Sequence, residues 1–86
     1  MRRQGLVAAR NPRRGMVAIK TDDSGYTIIE LLSDFELDLG DEMTWANGYG
    51  LGHEVYENLS KGTREEVFVQ NHDVGDAILR KQLMLD

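Results

Sequence analysis

The chain has 86 residues, ten Lys and Arg against fifteen Asp and Glu, nine glycines, one proline and no cysteine. That length allows one domain, since compact domains rarely run below ~50 residues, and the missing cysteines exclude a disulfide scaffold, a thiolate nucleophile, an iron–sulfur cluster and cysteine-ligated zinc. A hydrophobic content of 41% is too high for a disordered chain, the longest apolar run (Leu6-Val7-Ala8-Ala9) is too short to cross a membrane, and no apolar stretch follows Met1-Arg2-Arg3, so no secretory signal is read and a reducing, cytoplasmic setting is expected.

Up to about residue 70 the signals are short apolar runs with β-branched residues, punctuated by glycine-bearing turns. Gly5 to Arg10 reads as a first strand. Asn11-Pro12-Arg13-Arg14-Gly15 reads as a turn, with proline at its second position and glycine permitting positive φ at its exit. Met16 to Lys20 is a second strand, Thr21-Asp22-Asp23-Ser24-Gly25 a hairpin loop, and Tyr26 to Leu32 a third strand. Ser33 to Leu39 alternates Phe35, Leu37 and Leu39 with acids. It is either a short strand or a connection that plugs a barrel end with Phe35 and Leu37.

After the turn at Gly40-Asp41, Glu42 to Trp45 reads as a strand, Asn47 to Gly52 as a glycine-rich loop, His53 to Asn58 as a strand, and Glu65 to Gln70 as the last one, following a turn at Lys61-Gly62. Such strands suggest a small closed barrel or a sandwich. Gly75 to about Met84 changes period: Ile78, Leu79 and Leu83 share a helical face, Asp73 or Asp76 can cap it, and Arg80 and Lys81 suit its C-terminal half. A helix across one barrel mouth is expected, with a strand over Ala77 to Leu85 as the alternative. The chain is thus one domain over 1–86, a barrel over about 5–70 and a helical tail over about 74–85.

The charges are segregated. Residues 1–20 hold six bases and no acid, residues 21–60 ten acids and no base, and residues 61–86 four bases and five acids. Arg10, Arg13 and Arg14, behind Arg2 and Arg3, form the strongest basic cluster, and Lys20 closes the block. Arginine suits phosphate through paired donors, although charged residues also blunt strand edges and pair across strands. Tyr49, between two glycines, is the aromatic expected to be exposed, where it can stack on a base or a partner. Trp45 and Phe68 are expected in the core, together with Val7, Val17, Ile19, Ile29, Leu31, Met43, Val55, Val67, Val69 and Leu79.

Other motifs carry little chemistry. The Gly48–Gly52 loop lacks the lysine and hydroxyl of a phosphate loop. His53 and His72 are too isolated to suggest a metal site, the acids from Asp34 to Glu42 lack calcium-loop spacing, and no nucleophile–base pair is legible. Neither a cofactor nor an enzymatic activity is expected.

Gly5, Val7, Asn11, Arg14, Gly15 and Ile19 match, in register and without a gap, the opening of a cold-shock domain. Thr21 to Gly25 falls where that family has its Asp/Gly-rich turn, and Leu39-Gly40-Asp41-Glu42-Met43-Thr44-Trp45 resembles its later turn and strand. The resemblance covers about residues 5–45. It implies an OB-type antiparallel barrel that binds single-stranded nucleic acid; the family has no counterpart of the tail, so the fold expected here is such a barrel of five or six strands with a short C-terminal helix added. The family's base-stacking aromatics are replaced by Ala9, Met16, Ala18, Ile28 and Glu30. Each such platform contributes about 1–3 kcal/mol, so the resemblance implies weak, non-specific binding through Arg10, Arg13, Arg14, Lys20 and Tyr49. The alternative is a protein-interaction or structural module that has lost nucleic-acid binding, with its partner at the acidic Asp34–Glu42 face.

Overall fold

A computed structural model describes residues 2–22, 25–32 and 37–83. Six strands follow in chain order, β1 Arg3–Asn11, β2 Met16–Thr21, β3 Tyr26–Leu31, β4 Glu42–Trp45, β5 Gly52–Asn58 and β6 Thr63–Val74, and then one helix, α1 Asp76–Gln82. The strands close a barrel in the order β1-β2-β3-β6-β5-β4, with β4 returning to β1 and every pair antiparallel. Closure matters for a sheet this small, because it removes the exposed edges at which other chains pair. The expected small all-β barrel is therefore the architecture. Its last strand runs four residues beyond the anticipated Gln70, to Val74.

Strand alternation fills the barrel. Val7, Val17, Ile19, Ile29, Met43, Trp45, Val67 and Val69 are buried together, Leu31 packs on them from the margin, and Leu37 seals the group from the β3–β4 connection. Phe35, expected beside Leu37, lies outside the described residues. Gly5 is small for a definite reason. A Cβ there would run into the Lys20 carbonyl and the Ile19 side chain, because β1 is pressed between β2 and β4 at this point.

Two residues expected in the core are outside it. Val55 is 44% and Phe68 43% exposed. In β6 the residues Glu65, Val67 and Val69 face inward, so the period of two sends Phe68 outward whatever its hydrophobicity. In β5 the inward place goes to Tyr56, fully buried with its ring stacked on Trp45 at 4.4 Å and 4°. Burying the larger ring against the indole outweighs burying Val55.

The tail is helical but does not lie across a barrel mouth. It rests on the outside of the barrel, over Met16, Ala18, Ile28 and Val74, where Leu83 is buried and Leu79, Tyr26 and Ala9 pack around it. A seven-residue helix is unstable alone, so this apolar seat holds it. Neither expected aspartate caps it. The N-cap is Gly75 and carries no side-chain bond, while the Asp76 carboxylate accepts from the Tyr26 hydroxyl and raises that phenol above its ordinary pKa.

Candidate functional site

The basic cluster is built on the β1–β2 hairpin. Val7 pairs with Ile19 but Ala9 with Ala18, so Ala8 is an extra residue and β1 carries a bulge. A bulge reverses the alternation downstream of it. Ala9 and Asn11 consequently join the outer face beneath α1, and Arg10 swings towards the barrel mouth. There its Nη1 donates to the Leu37 carbonyl at 2.7 Å and lies 3.9 Å from Asp38. Arg10 thus holds the β3–β4 connection and is only partly available to a ligand.

Arg13 and Arg14 stand differently. The turn below them is fixed by the Arg14 amide on the Asn11 carbonyl (3.1 Å), by Gly15 at φ 67°, and by the Leu31 amide on the Gly15 carbonyl (2.8 Å). Both side chains are exposed and make no hydrogen bond or ion pair among the described residues. Lys20 and Tyr49 lie at the opposite barrel end, separated from the turn by the length of β2, about 20 Å at ~3.3 Å per residue. The five predicted residues therefore form no single patch.

The end of β1 is also tied to the tail, a contact that the sequence reading missed. Asn11 Nδ2 donates to the Leu83 carbonyl across a buried 2.8 Å bond. This bond ties Leu83, just past α1, to the end of β1. The signal was present in the i, i+4 pair Leu79 and Leu83 and in three apolar residues, Met16 and Ala18 of β2 and Ile28 of β3, on one face of the sheet. Those three positions are where the cold-shock resemblance places stacking aromatics, and α1 covers them.

The other barrel mouth is closed by a polar cluster. Arg3, with 5% of its side chain exposed, lies 4.2 Å beneath the Tyr49 ring and 3.7 Å from Asp73. His72 Nε2 donates to the Gly50 carbonyl (3.0 Å), and its Nδ1 accepts from the Thr27 hydroxyl (2.9 Å) and faces Arg3 Nη1 at 3.4 Å. Tyr49 meets His72 edge-on at 5.5 Å. One face of Tyr49 is thus occupied by the Arg3 cation, although half of the residue remains exposed. Inside the barrel, burial pushes the Tyr56 hydroxyl's pKa up. The Glu54 charge adds to the rise and Arg3 offsets part of it.

The acidic segment is likewise tied up internally. Lys61 bonds Asp38 at 2.8 Å and Asp41 at 3.1 Å, and Asp41 Oδ2 also receives Asn58 Nδ2 and the Asp38 amide. Burial opposes ionisation of Asp41, but the Asp38 amide, Asn58 and Lys61 outweigh it and hold the carboxyl below its ordinary value. The Asp38 contact in turn raises the Lys61 pKa. Asp34 and Glu36 lie outside the described residues. Among the described residues no group of three or more His, Asp and Glu is placed to hold a metal ion. Comparison with protein-family models, curated proteins and solved structures finds no match.

Proposed function

We propose that this barrel binds single-stranded nucleic acid weakly and without sequence preference, through backbone phosphates at the β1–β2 turn. The observation that carries the reading is the contrast between Arg10, spent on Leu37 and Asp38, and Arg13 and Arg14, which extend from a rigid turn with no partner among the described residues. Arginine pairs its planar donors with phosphate oxygens. The turn residues 12–15 include no aromatic and Tyr49 is at the far barrel end, so the attraction assigned to the turn is counterion release. Each phosphate contact then contributes about 0.7 to the log–log salt slope on a single strand. Titration of a labelled mixed-sequence oligonucleotide by fluorescence anisotropy, over a salt series, tests this. Changing Arg13 and Arg14 to glutamine should abolish binding at low salt and leave the circular dichroism spectrum unchanged. Binding that survives the double change contradicts the reading.

A protein-interaction role is the second reading, and one observation favours it. Phe68 and Val55 are both exposed on the outer face that α1 leaves bare, with Phe68 between Glu30 and His53 in the pairing register. An apolar pair there suits a partner surface. This reading replaces the first if the oligonucleotide fails to bind at low salt.

A further inference from the structure

We infer that Asn47 is a site of spontaneous covalent modification: the Gly48 backbone nitrogen displaces its side-chain amide as ammonia, and the acidic product loosens the loop that closes the Tyr49 end of the barrel. The inference does not rest on the nucleic-acid reading, which concerns the opposite end.

The sequence supplies the reacting pair. The chain has four asparagines, Asn11, Asn47, Asn58 and Asn71, and Asn47 alone precedes a glycine. The attack needs a backbone nitrogen that bears a hydrogen and can approach the side-chain carbonyl carbon. Pro12 has no such hydrogen. Leu59 and His72 carry a Cβ that crowds the approach, while glycine leaves the nitrogen open and the dihedrals free. Asn58 is in addition fixed in place, with Nδ2 on Asp41 and Oδ1 accepting the Lys61 amide.

The fold leaves the pair reachable. Asn47 is exposed and opens a tight turn in which the Gly50 amide donates to its carbonyl at 3.0 Å. Its side chain is held by a surface contact, Nδ2 to Glu54 Oε2 at 2.9 Å. Gly48 is buried, but its amide makes no hydrogen bond among the described residues. A turn held this lightly opens locally at low free energy, so hydroxide reaches the Gly48 amide while the barrel stays folded.

Hydroxide takes the Gly48 amide proton. The nitrogen bonds to Asn47 Cγ, the Cγ–Nδ2 bond breaks, and Nδ2 leaves as ammonia with a proton from water. Water then adds to either carbonyl of the resulting five-membered ring. The products are aspartate and an isoaspartate whose main chain runs through Cγ. One water is consumed, one ammonia is released, and nothing is oxidised or reduced. Aspartate sets a carboxylate against Glu54 where an amide had donated, and like charges repel. Isoaspartate lengthens the backbone of the turn by one carbon. The next three residues make the closure: the Gly48 carbonyl accepts from Trp45 Nε1 at 3.0 Å, the Tyr49 ring covers Arg3 at 4.2 Å, and the Gly50 carbonyl accepts from His72 Nε2 at 3.0 Å. Displacing the turn disturbs all three.

The test incubates the wild-type protein at mildly alkaline pH and weighs its peptides. The expected result is a gain of one mass unit at Asn47 alone, split between two isomers, at a rate proportional to hydroxide. Isoaspartyl methyltransferase should label one isomer, and the gain should be lost in Asn47→Gln. The modified protein, separated by its added negative charge, should show displaced Tyr49 and His72 side-chain resonances, with the amides of the β1–β2 turn unmoved. No gain at Asn47, or an equal gain at Asn58 or Asn71, overturns the site. A gain that leaves the Tyr49 and His72 resonances in place overturns the loosening. Neither result bears on phosphate binding at the β1–β2 turn.

Discussion

Replacing Trp45 with alanine strikes the centre of the barrel. The indole is 1% exposed and stacks parallel to the Tyr56 ring at 4.4 Å, while its Nε1 donates to the Gly48 carbonyl at 3.0 Å. Removing a buried tryptophan costs about 3–5 kcal/mol in transfer and cavity terms. The lost ring pair lies within or adds to that range by about 0.5–1.5 kcal/mol. A chain of this size has roughly 4–13 kcal/mol in total, at ~0.05–0.15 kcal/mol per residue, so Trp45→Ala should bring the barrel close to unfolding at room temperature. Trp45→Phe separates the contributions. It keeps a ring against Tyr56 and gives up part of the volume and the Gly48 bond, the latter worth about 0.5–1.5 kcal/mol. Urea unfolding followed by far-ultraviolet circular dichroism measures both, since the alanine variant has no tryptophan emission. The native indole should also resist iodide quenching. A loss below about 1 kcal/mol for Trp45→Ala, or free quencher access, would refute the placement of Trp45 in the core.

Three further outcomes follow from particular contacts. Phe68→Ser should shift the urea midpoint little, within about 0.5 kcal/mol as for an ordinary surface change, whereas a loss of ~3 kcal/mol would return Phe68 to the core. Gly5→Ala should cost about 1–3 kcal/mol by overpacking, because its Cβ meets the Lys20 carbonyl and Ile19; a neutral melting temperature would show that β1 has room to move. The folded-state pKa of Asp41 lies below its ordinary 3.8, so its ionised contacts contribute stability that is fully present above that value and is lost as the pH falls through the folded one. Asp41→Asn should accordingly flatten the acid limb of a plot of melting temperature against pH, and an unchanged limb would assign acid sensitivity to other carboxylates.

The first three strands were legible because each ends in a turn whose chemistry is local: Pro12 and Gly15 close one hairpin, and Gly25 helps close the next. Trp45 was legible because it alternates with Met43 behind Gly40. What escaped notice depends on contacts between distant segments. Ala8 looks like any strand alanine, yet its bulge redirects Arg10 from solvent to the Leu37 carbonyl. Val55 and Tyr56 offer opposite faces of one strand, and only the position of Trp45 across the β4–β5 pair decides between them. By the cold-shock pattern, Met16, Ala18 and Ile28 form a binding face stripped of its aromatics. The apolar stripe is the seat of a helix that begins 48 residues after Ile28, at Asp76. Charge and exposure associate Lys20 and Tyr49 with the turn arginines, but these properties carry no information about which barrel end a residue occupies.

The central claim, that phosphate is held at the β1–β2 turn, is tested most directly by backbone amide shifts. Isotope-labelled protein is titrated with a mixed-sequence single strand at low and at physiological salt. The account predicts shifts centred on residues 12–15 at low salt, fading as salt rises, with the Tyr49 loop and Lys20 unmoved. Absence of any shift at 12–15 at low salt, or shifts centred on Tyr49 and Lys20, would contradict it.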